Sequence, residues 1–305
     1  MSEITPRQSL VVKLLTIICF SSVSLISQVT AHEHLSSQAD KTKSSRTLAH
    51  YLGNEGVMVS GDKVKVLFDP FFHNHYDSFT LVPETIRQRI FSNQAPYNDI
   101  DAIFVSHIHG DHFDAGDTVK YLLNHKKVRL FVPAQGIDKL EAIEGFSQVS
   151  TQIEAVELNY NDKPVKIDMK EFQVEAVFIP HSGWPNTKDV QNIVYRVKAN
   201  NEFTVMHFGD ADSNPDFYTR YSGYWQSEKT QLSFIPFWLG LKAEGKKVIN
   251  EIINTDKSIG VHVPAKGHPA LPDSGLDYFS KPGETREVTV GKEQAGEKGR
   301  AISDR

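Results

Sequence analysis

The segment 101–114, DAIFVSHIHGDHFD, constrains this chain more than any other. Its first residues are typical of a buried strand, and three histidines and two aspartates follow within eight positions. His107 and His109 alternate, so in an extended segment their side chains point the same way and can bind one ion together. After the following glycine, Asp111 and His112 can face a second ion. Because imidazole and carboxylate suit zinc, or iron and manganese at a harder site, the segment predicts a metal site rather than a histidine-rich surface loop.

The first 31 residues have the pattern of a secretory signal peptide. A positively charged start is followed by the uncharged run LLTIICFSSVSLISQVTA at 14–31, and the small residues Val29 and Ala31 fit a cleavage site near Ala31. The alternative is an uncleaved membrane anchor, for which the run is at the short end. Cleavage would remove Cys19, the only cysteine. The mature protein would then build any metal site from histidine and carboxylate, and we expect a periplasmic or secreted location.

The rest of the chain predicts one domain over 47–286, between a polar linker at 32–46 and a C-terminal tail at 287–305 that we expect to be mobile. Short strand-like runs such as GVMVS, FTVMHFGD and LSFIPFW alternate, after the first few, with helical patterns such as AGDTVKYLLNHKK, GIDKLEAIEG and EGKKVINEIINT. This order predicts an α/β (α+β) protein whose sheets carry helices on their outer faces. The net charge of −5 argues against a nucleic-acid partner, and the oligomeric state stays open.

In its motifs, the chain resembles the metallo-β-lactamase fold superfamily. The H-x-H-x-D-H motif is followed by AVFIPHSG, FTVMHFGDAD and SIGVHVPA, in which His181, Asp210 and His262 each follow a strand-like run. The resemblance implies a four-layer αββα sandwich with two divalent ions, for which we expect zinc, with iron or manganese as alternatives. It implies one ion on His107, His109 and His181, a second on Asp111, His112 and His262, and Asp210 between them.

Other residues compete for these roles. The run HNHYDS also reads H-x-H-x-D through His73, His75 and Asp77, but it lacks the following histidine. His268 is an alternative to His262, although it follows a turn rather than an apolar strand. We also weigh His207 and Asp212, close in sequence to Asp210, as less favoured ligands.

Three further residues are candidates for the surroundings of the site. Asp69, in LFDP, matches a position whose aspartate supports the ligands of relatives, as carboxylates behind metal-bound histidines commonly do; a turn aspartate is the alternative. Trp184 and Trp238 either line a pocket for a partly apolar substrate or fill the core.

Two adjacent ions would lower the pKa of a shared water and give a bridging hydroxide as the nucleophile, which Asp111 or Asp210 would orient and whose proton they would transfer. The sequence therefore predicts an exported dinuclear metal-dependent hydrolase of a small-molecule ester, lactone, amide or phosphodiester. The segments YLGNEGVMV, VLFDP and VHVPA resemble most the group that contains ascorbate-phosphate lactonases and N-acylphosphatidylethanolamine phospholipase D, with Asn54 where relatives often have histidine. The alternatives are a β-lactamase and an iron-dependent oxidoreductase of the same fold.

Overall fold

Two seven-stranded mixed sheets form the centre of the computed structural model, which describes residues 46–289. The first sheet has the order β14-β1-β2-β3-β4-β5-β6. Its strands are β1 (Leu48–Gly53), β2 (Gly56–Ser60), β3 (Lys65–Phe68), β4 (Ala102–Phe104), β5 (Arg129–Pro133), β6 (Ile153–Val156) and β14 (Thr285–Glu287). The strands from β3 to β6 pair in parallel, whereas β14, β1, β2 and β3 pair antiparallel.

The second sheet has the order β13-β12-β11-β10-β9-β8-β7. Its strands are β7 (Val165–Asp168), β8 (Gln173–Phe178), β9 (Ile193–Ala199), β10 (Phe203–His207), β11 (Thr230–Pro236), β12 (Thr255–Val261) and β13 (Asp277–Tyr278). The four strands from β10 to β13 pair in parallel, and the remaining pairs are antiparallel. Each sheet is therefore half parallel, and the parallel halves hold β4, β10 and β12, which precede three of the four metal motifs, whereas β8 lies in an antiparallel half.

Helices cover the outer face of each sheet. The helices are α1 (Glu84–Phe91), α2 (Ala115–Asn124), α3 (Ile137–Glu141), α4 (Asp216–Thr219), α5 (Ser222–Ser227), α6 (Phe237–Leu241) and α7 (Ala243–Lys247), which continues into a π-helical turn at Val248–Ile252. Alternating residues of β3 show the layers, because Val66 and Phe68 belong to the core between the sheets while Leu67 packs against the helical layer outside. A third apolar cluster joins the second sheet to α5 and α6 through Trp225 and Leu239. The predicted αββα sandwich is confirmed.

The boundaries of several elements differ from the sequence-based expectation. The run LSFIPFW continues from β11 into helix α6 at Phe237, because Pro236 ends the strand. The predicted helix at 136–145 is helical only over Ile137–Glu141, and the one at 244–255 becomes a π-helical turn halfway. The signal peptide and most of the linker and tail lie outside the described residues, so those predictions stay predictions. Within 46–289, none of the helices combines the length and apolar composition that a membrane crossing requires.

Candidate metal centre

The predicted ligands come from loops that leave the carboxyl ends of β4, β8, β10 and β12. Parallel strands bring such ends to one edge of a sheet, and the two packed sheets bring their edges together. Seven side chains from four loops meet there: His107, His109, Asp111, His112, His181, Asp210 and His262. All are buried except His109, which is partly exposed.

The first group of donors surrounds one oxygen of Asp210. His181 Nε2 lies 3.2 Å and His107 Nε2 lies 3.9 Å from Asp210 Oδ2, and His109 Nδ1 lies 3.1 Å from His107 Nε2. The Nδ1–H of His181 donates to the Ser182 carbonyl at 2.7 Å, so its Nε2 presents a lone pair to the group. Three imidazoles and one carboxylate oxygen therefore converge on a single point.

The second group surrounds the other oxygen of the same carboxylate. Asp210 Oδ1 lies 3.4 Å from His112 Nε2 and 3.2 Å from His262 Nε2. Asp111 Oδ2 lies 3.6 Å and 3.3 Å from those same two nitrogens. Asp210 is thus shared between the two groups, one oxygen to each.

These donors fit metal ions. Four ligands about 2.0–2.1 Å from a tetrahedral ion are about 3.3–3.4 Å apart, which is close to the spacing of the second group. In addition, His112 Nε2, His181 Nε2, Asp210 Oδ1 and both ring nitrogens of His262 are buried without a hydrogen-bond partner. Buried polar atoms normally have partners, so this concentration of unpaired donors is the arrangement expected of ligands.

The electrostatics of the centre favour positive charge. Burial alone would raise the pKa of Asp210, but the charges of His262 and His112 outweigh it and hold that pKa well below its usual value. Burial opposes a charge on His112, yet Asp210 and the hydrogen bond to Asp69 raise its pKa to about 10. By contrast, burial and the charge of His112 keep the pKa of His107 well below normal. The carboxylates thus hold a proton where a cation would bind.

Asp69 stands behind both groups of donors, as the resemblance implies. It is completely buried and accepts from His112 Nδ1 at 2.9 Å, from the Ser106 amide at 2.7 Å and from the Ser106 hydroxyl at 2.5 Å. The Ser106 oxygen lies 3.1 Å from His107 Nδ1. Through these bonds Asp69 keeps the protons of His112 and His107 on Nδ1, so that each Nε2 faces the centre.

Asn54, which stands where relatives often have histidine, supports a ligand instead. Its side-chain amide donates to the Asp111 carbonyl oxygen at 3.0 Å and to Asp111 Oδ2 at 3.3 Å. Its own carbonyl accepts from the His262 amide at 3.0 Å, and His262 has a φ of 59°. A non-glycine residue in this left-handed conformation persists only where its surroundings enforce it, and Asn54 supplies part of that enforcement.

The competing candidates lie elsewhere. His73 is 57% exposed and its Nε2 contacts Asp117 at 3.0 Å, while Asp77 is exposed and His75 is partly exposed. His268 is partly exposed and packs against Phe237. His207 is buried, and its Nε2–H donates to the Glu55 carbonyl at 3.0 Å.

Aromatic residues flank the second group. Phe79 is edge-on to His262 at a centroid distance of 4.1 Å, and Trp238 is 5.3 Å from the same ring. The Trp238 indole donates to the Ala211 carbonyl at 3.0 Å and is only partly buried. Trp184 instead packs on Tyr160 and Phe217, with centroids 4.9 Å and 6.2 Å away. Trp238 therefore lies at the centre, whereas Trp184 belongs to an aromatic cluster beside it.

Sequence reasoning missed Glu55. It occupies the two-residue turn between β1 and β2, a position that is normally exposed, yet it is completely buried. Its carboxyl offers an oxygen within 4.8 Å of donor atoms of His112 and Asp210. Burial, and the neighbouring charge of Asp210, raise its pKa well above the usual value. A glutamate beside an asparagine in a turn gave no signal for this environment.

The fold and the shared carboxylate define a protein of the metallo-β-lactamase type. Residues 65–222 match the family described as the beta-lactamase superfamily domain, and the chain belongs to that family.

Two curated proteins match shorter segments. One is a ribonuclease Z of Protochlamydia amoebophila (strain UWE25), 32% identical over 117 residues, which are 37% of this chain and 36% of that protein. The other is a UPF0173 metal-dependent hydrolase of Alkaliphilus metalliredigens (strain QYMF), 30% identical over 95 residues, which are 29% of this chain and 35% of that protein. The chain thus matches about a third of the length of each relative.

Two solved structures share the fold. A possible metal-dependent hydrolase from Veillonella parvula DSM 2008 has a TM-score of 0.53 at 16% identity, with 79% of this chain and 99% of that chain covered. The metallo hydrolase Igni18 from Ignicoccus hospitalis KIN4/I has a TM-score of 0.50 at 15% identity, with 80% and 99% covered. At these identities the likeness concerns the fold alone.

Proposed function

We propose that this protein is an exported dinuclear metal-dependent hydrolase of a small-molecule ester, lactone, amide or phosphodiester. The family match and the ligand chemistry support a metal-dependent hydrolase. One observation supports two ions rather than one: the two oxygens of the Asp210 carboxylate face different groups of donors. Oδ2 faces His107 and His181, and Oδ1 faces His112 and His262.

In this proposal, His107, His109, His181 and Asp210 hold one ion, and Asp111, His112, His262 and Asp210 hold the other. Zinc fits the histidine-rich first group, and iron or manganese are the alternatives. Two ions held there would lower the pKa of a coordinated water and polarise the bond to be cleaved.

The chain's own carboxylates complete the chemistry. Burial would raise the pKa of Asp111, but the hydrogen bond with His262 and the charge of His112 lower it. The pKa of Asp210 is lowered as well, so both groups are carboxylates at neutral pH, and Asp111 or Asp210 would accept the hydrogen bond that orients the attacking water. Asp111 is the residue we assign to passing a proton to the leaving group, because Asp210 is committed to both groups of donors.

Aromatic rings at the centre support a substrate with an apolar part. Phe79 and Trp238 line the His262 side, and Tyr76, which is 55% exposed, lies in the neighbouring loop. A partly apolar lactone or acyl ester fits this surface better than a nucleic acid, which the net charge of −5 also disfavours. This choice agrees with the suggested kinship to lactonases and lipid phosphodiesterases.

The test is a hydrolysis screen of the zinc-loaded protein on esters, lactones, amides, phosphodiesters, a β-lactam and an RNA substrate. We expect activity on one of the first four classes and its loss, by at least about 100-fold, in His107→Ala and Asp210→Ala. His73→Ala is the matched control, because it removes a histidine from the other H-x-H-x-D run. Full activity in both site variants would refute the proposal.

The same protein distinguishes the alternatives. Turnover of the β-lactam above the metal-free background would favour a β-lactamase. Iron as the metal of protein purified without added metal, together with a visible absorption band and no hydrolysis, would favour the oxidoreductase.

A further inference from the structure

Glu55 is completely buried beside the metal centre but belongs to neither of its two groups of donors. The backbone carbonyls of both residues in the turn that contains Glu55 accept hydrogen bonds from the second sheet or the loop after it. The His262 amide donates to the Asn54 carbonyl, and His207 Nε2–H donates to the Glu55 carbonyl, each at 3.0 Å. These bonds direct the Glu55 side chain into the interior beneath the metal centre.

The carboxyl group of Glu55 is unsatisfied there. Neither of its oxygens has a hydrogen-bond partner. Within 46–289, the basic group closest to it is His207, whose Nε2 lies 3.4 Å from Oε2 but already donates its hydrogen to the Glu55 backbone carbonyl. A buried carboxyl group without hydrogen-bond partners is unfavourable in either protonation state, and a bound cation would both pair with its oxygens and favour the carboxylate form.

Glu55 could share an ion with Asp69 and His207 or with His112 and Asp210. Asp69 and His207 Nε2 are already hydrogen-bonded, whereas His112 Nε2 and Asp210 Oδ1 have no partner, so the second pair is the better candidate. A Glu55 oxygen and donor atoms of His112 and Asp210 all lie within 4.8 Å of one another. Ligands on opposite sides of one ion with bonds of about 2.1 Å are about 4.2 Å apart, so a small side-chain movement suffices for all three to share an ion.

We propose that Glu55 is a further ligand of the ion held by Asp111, His112, His262 and Asp210. The inference rests on the proposed dinuclear centre and deepens it. The second ion would then have two imidazoles and three carboxylates, an oxygen-rich environment suited to five or six ligands. Such a site favours manganese and iron relative to zinc more than the first site, with its three histidines, does.

The experiment compares the wild type with Glu55→Gln, which keeps the shape of the side chain and removes its charge. Both are loaded with two equivalents of Co²⁺, whose visible absorption is stronger with four ligands than with five or six. We expect Glu55→Gln to increase the absorption of one ion and to weaken Mn²⁺ binding at least tenfold more than Zn²⁺ binding, measured against a competing chelator. An unchanged spectrum and an unchanged Mn²⁺/Zn²⁺ ratio would overturn the proposal.

His207→Gln is the control for a structural pair. If the carboxyl served only to contact His207, both variants would alter the spectrum and metal affinities equally, and the proposal would fail. The metal-free Glu55→Gln protein is expected to melt at the wild-type temperature, since no side-chain hydrogen bond is lost, and a large fall would assign the carboxyl a structural role instead. A wild type that binds fewer than two Co²⁺ ions would refute the dinuclear centre itself, whereas two ions with an unchanged variant refute only the role of Glu55.

Discussion

Replacing Asp69 by asparagine should weaken the binding of the second metal ion although none of the proposed ligands is changed. The carboxylate accepts from the Ser106 amide and hydroxyl and from His112 Nδ1. An asparagine oxygen can still accept from the Ser106 amide, but its NH₂ group then faces the other two partners. His112 can accept that hydrogen only if its own proton moves from Nδ1 to Nε2.

The displaced proton would occupy the nitrogen that serves the metal. His112 Nε2 lies 3.4 Å from Asp210 Oδ1 and 3.6 Å from Asp111 Oδ2, and a proton there removes the lone pair that an ion needs. Loss of such a supporting carboxylate costs about 10–100-fold in metal affinity, or about 1.4–2.8 kcal/mol. In the metal-free protein, removing one partner of this buried pair should lower the free energy of unfolding by about 3–5 kcal/mol.

The assay is a zinc titration against a competing chelator at neutral pH, resolved into two binding steps. We expect the affinity of one step to fall by about 10–100-fold in Asp69→Asn. Asp212→Asn is the matched control, because Asp212 is a nearby aspartate that accepts from the Gly183 and Asn214 amides. If both binding steps of Asp69→Asn had wild-type affinities, the proposed shift of the His112 proton from Nδ1 to Nε2 would be refuted.

Three further predictions follow from the same structure. Gly209→Ala should lower the free energy of unfolding by about 2–4 kcal/mol, because φ at this position is +52° and an added Cβ would lie 2.5 Å from Asn192 Oδ1 and from Ser106 Cβ. Thermal denaturation measures this loss, and an unchanged melting temperature would contradict it. The pKa of His112 is raised to about 10, so protonated His112 should stabilise the metal-free protein fully below about pH 6.5, and this stabilisation should disappear as the pH rises through about 10. Because an ion must displace that proton, the affinity for the second ion should increase about tenfold per pH unit around neutrality. Opposite trends in pH-dependent melting and in metal titration would contradict this prediction. Trp238→Ala should raise KM for the best substrate of the screen with a smaller change in kcat, because Trp238 lies beside His262 and would contact the apolar part of the substrate. Steady-state kinetics in which an apolar and a polar substrate are affected equally would contradict this role.

The sequence predicts the fold and the meeting of the ligands because both follow from local patterns. A histidine or aspartate that closely follows an apolar strand lies at the edge of the sheet where that strand ends. This holds for His107, His181, Asp210 and His262. The same reasoning separates the exposed His73 from the buried His107, since the run at 73 lacks the full motif.

The surroundings of the centre could not be predicted in the same way, because they depend on packing between distant segments. Glu55 is polar and lies in a hairpin turn, and only the contact of that turn with His207, 152 residues later, reveals its burial. Trp184 and Trp238 look alike in sequence, yet one packs on Tyr160 and the other on His262. Short helices such as α4 and α5 are likewise too brief for a periodic pattern to indicate them.

Anomalous X-ray scattering from crystals of the zinc-loaded protein would test the central claim most directly. We expect two peaks, one on each side of the Asp210 carboxylate: one lies among His107, His109 and His181, and the other lies beside His112 and His262. A single peak, or peaks at the histidines of the 73–77 loop, would contradict this claim.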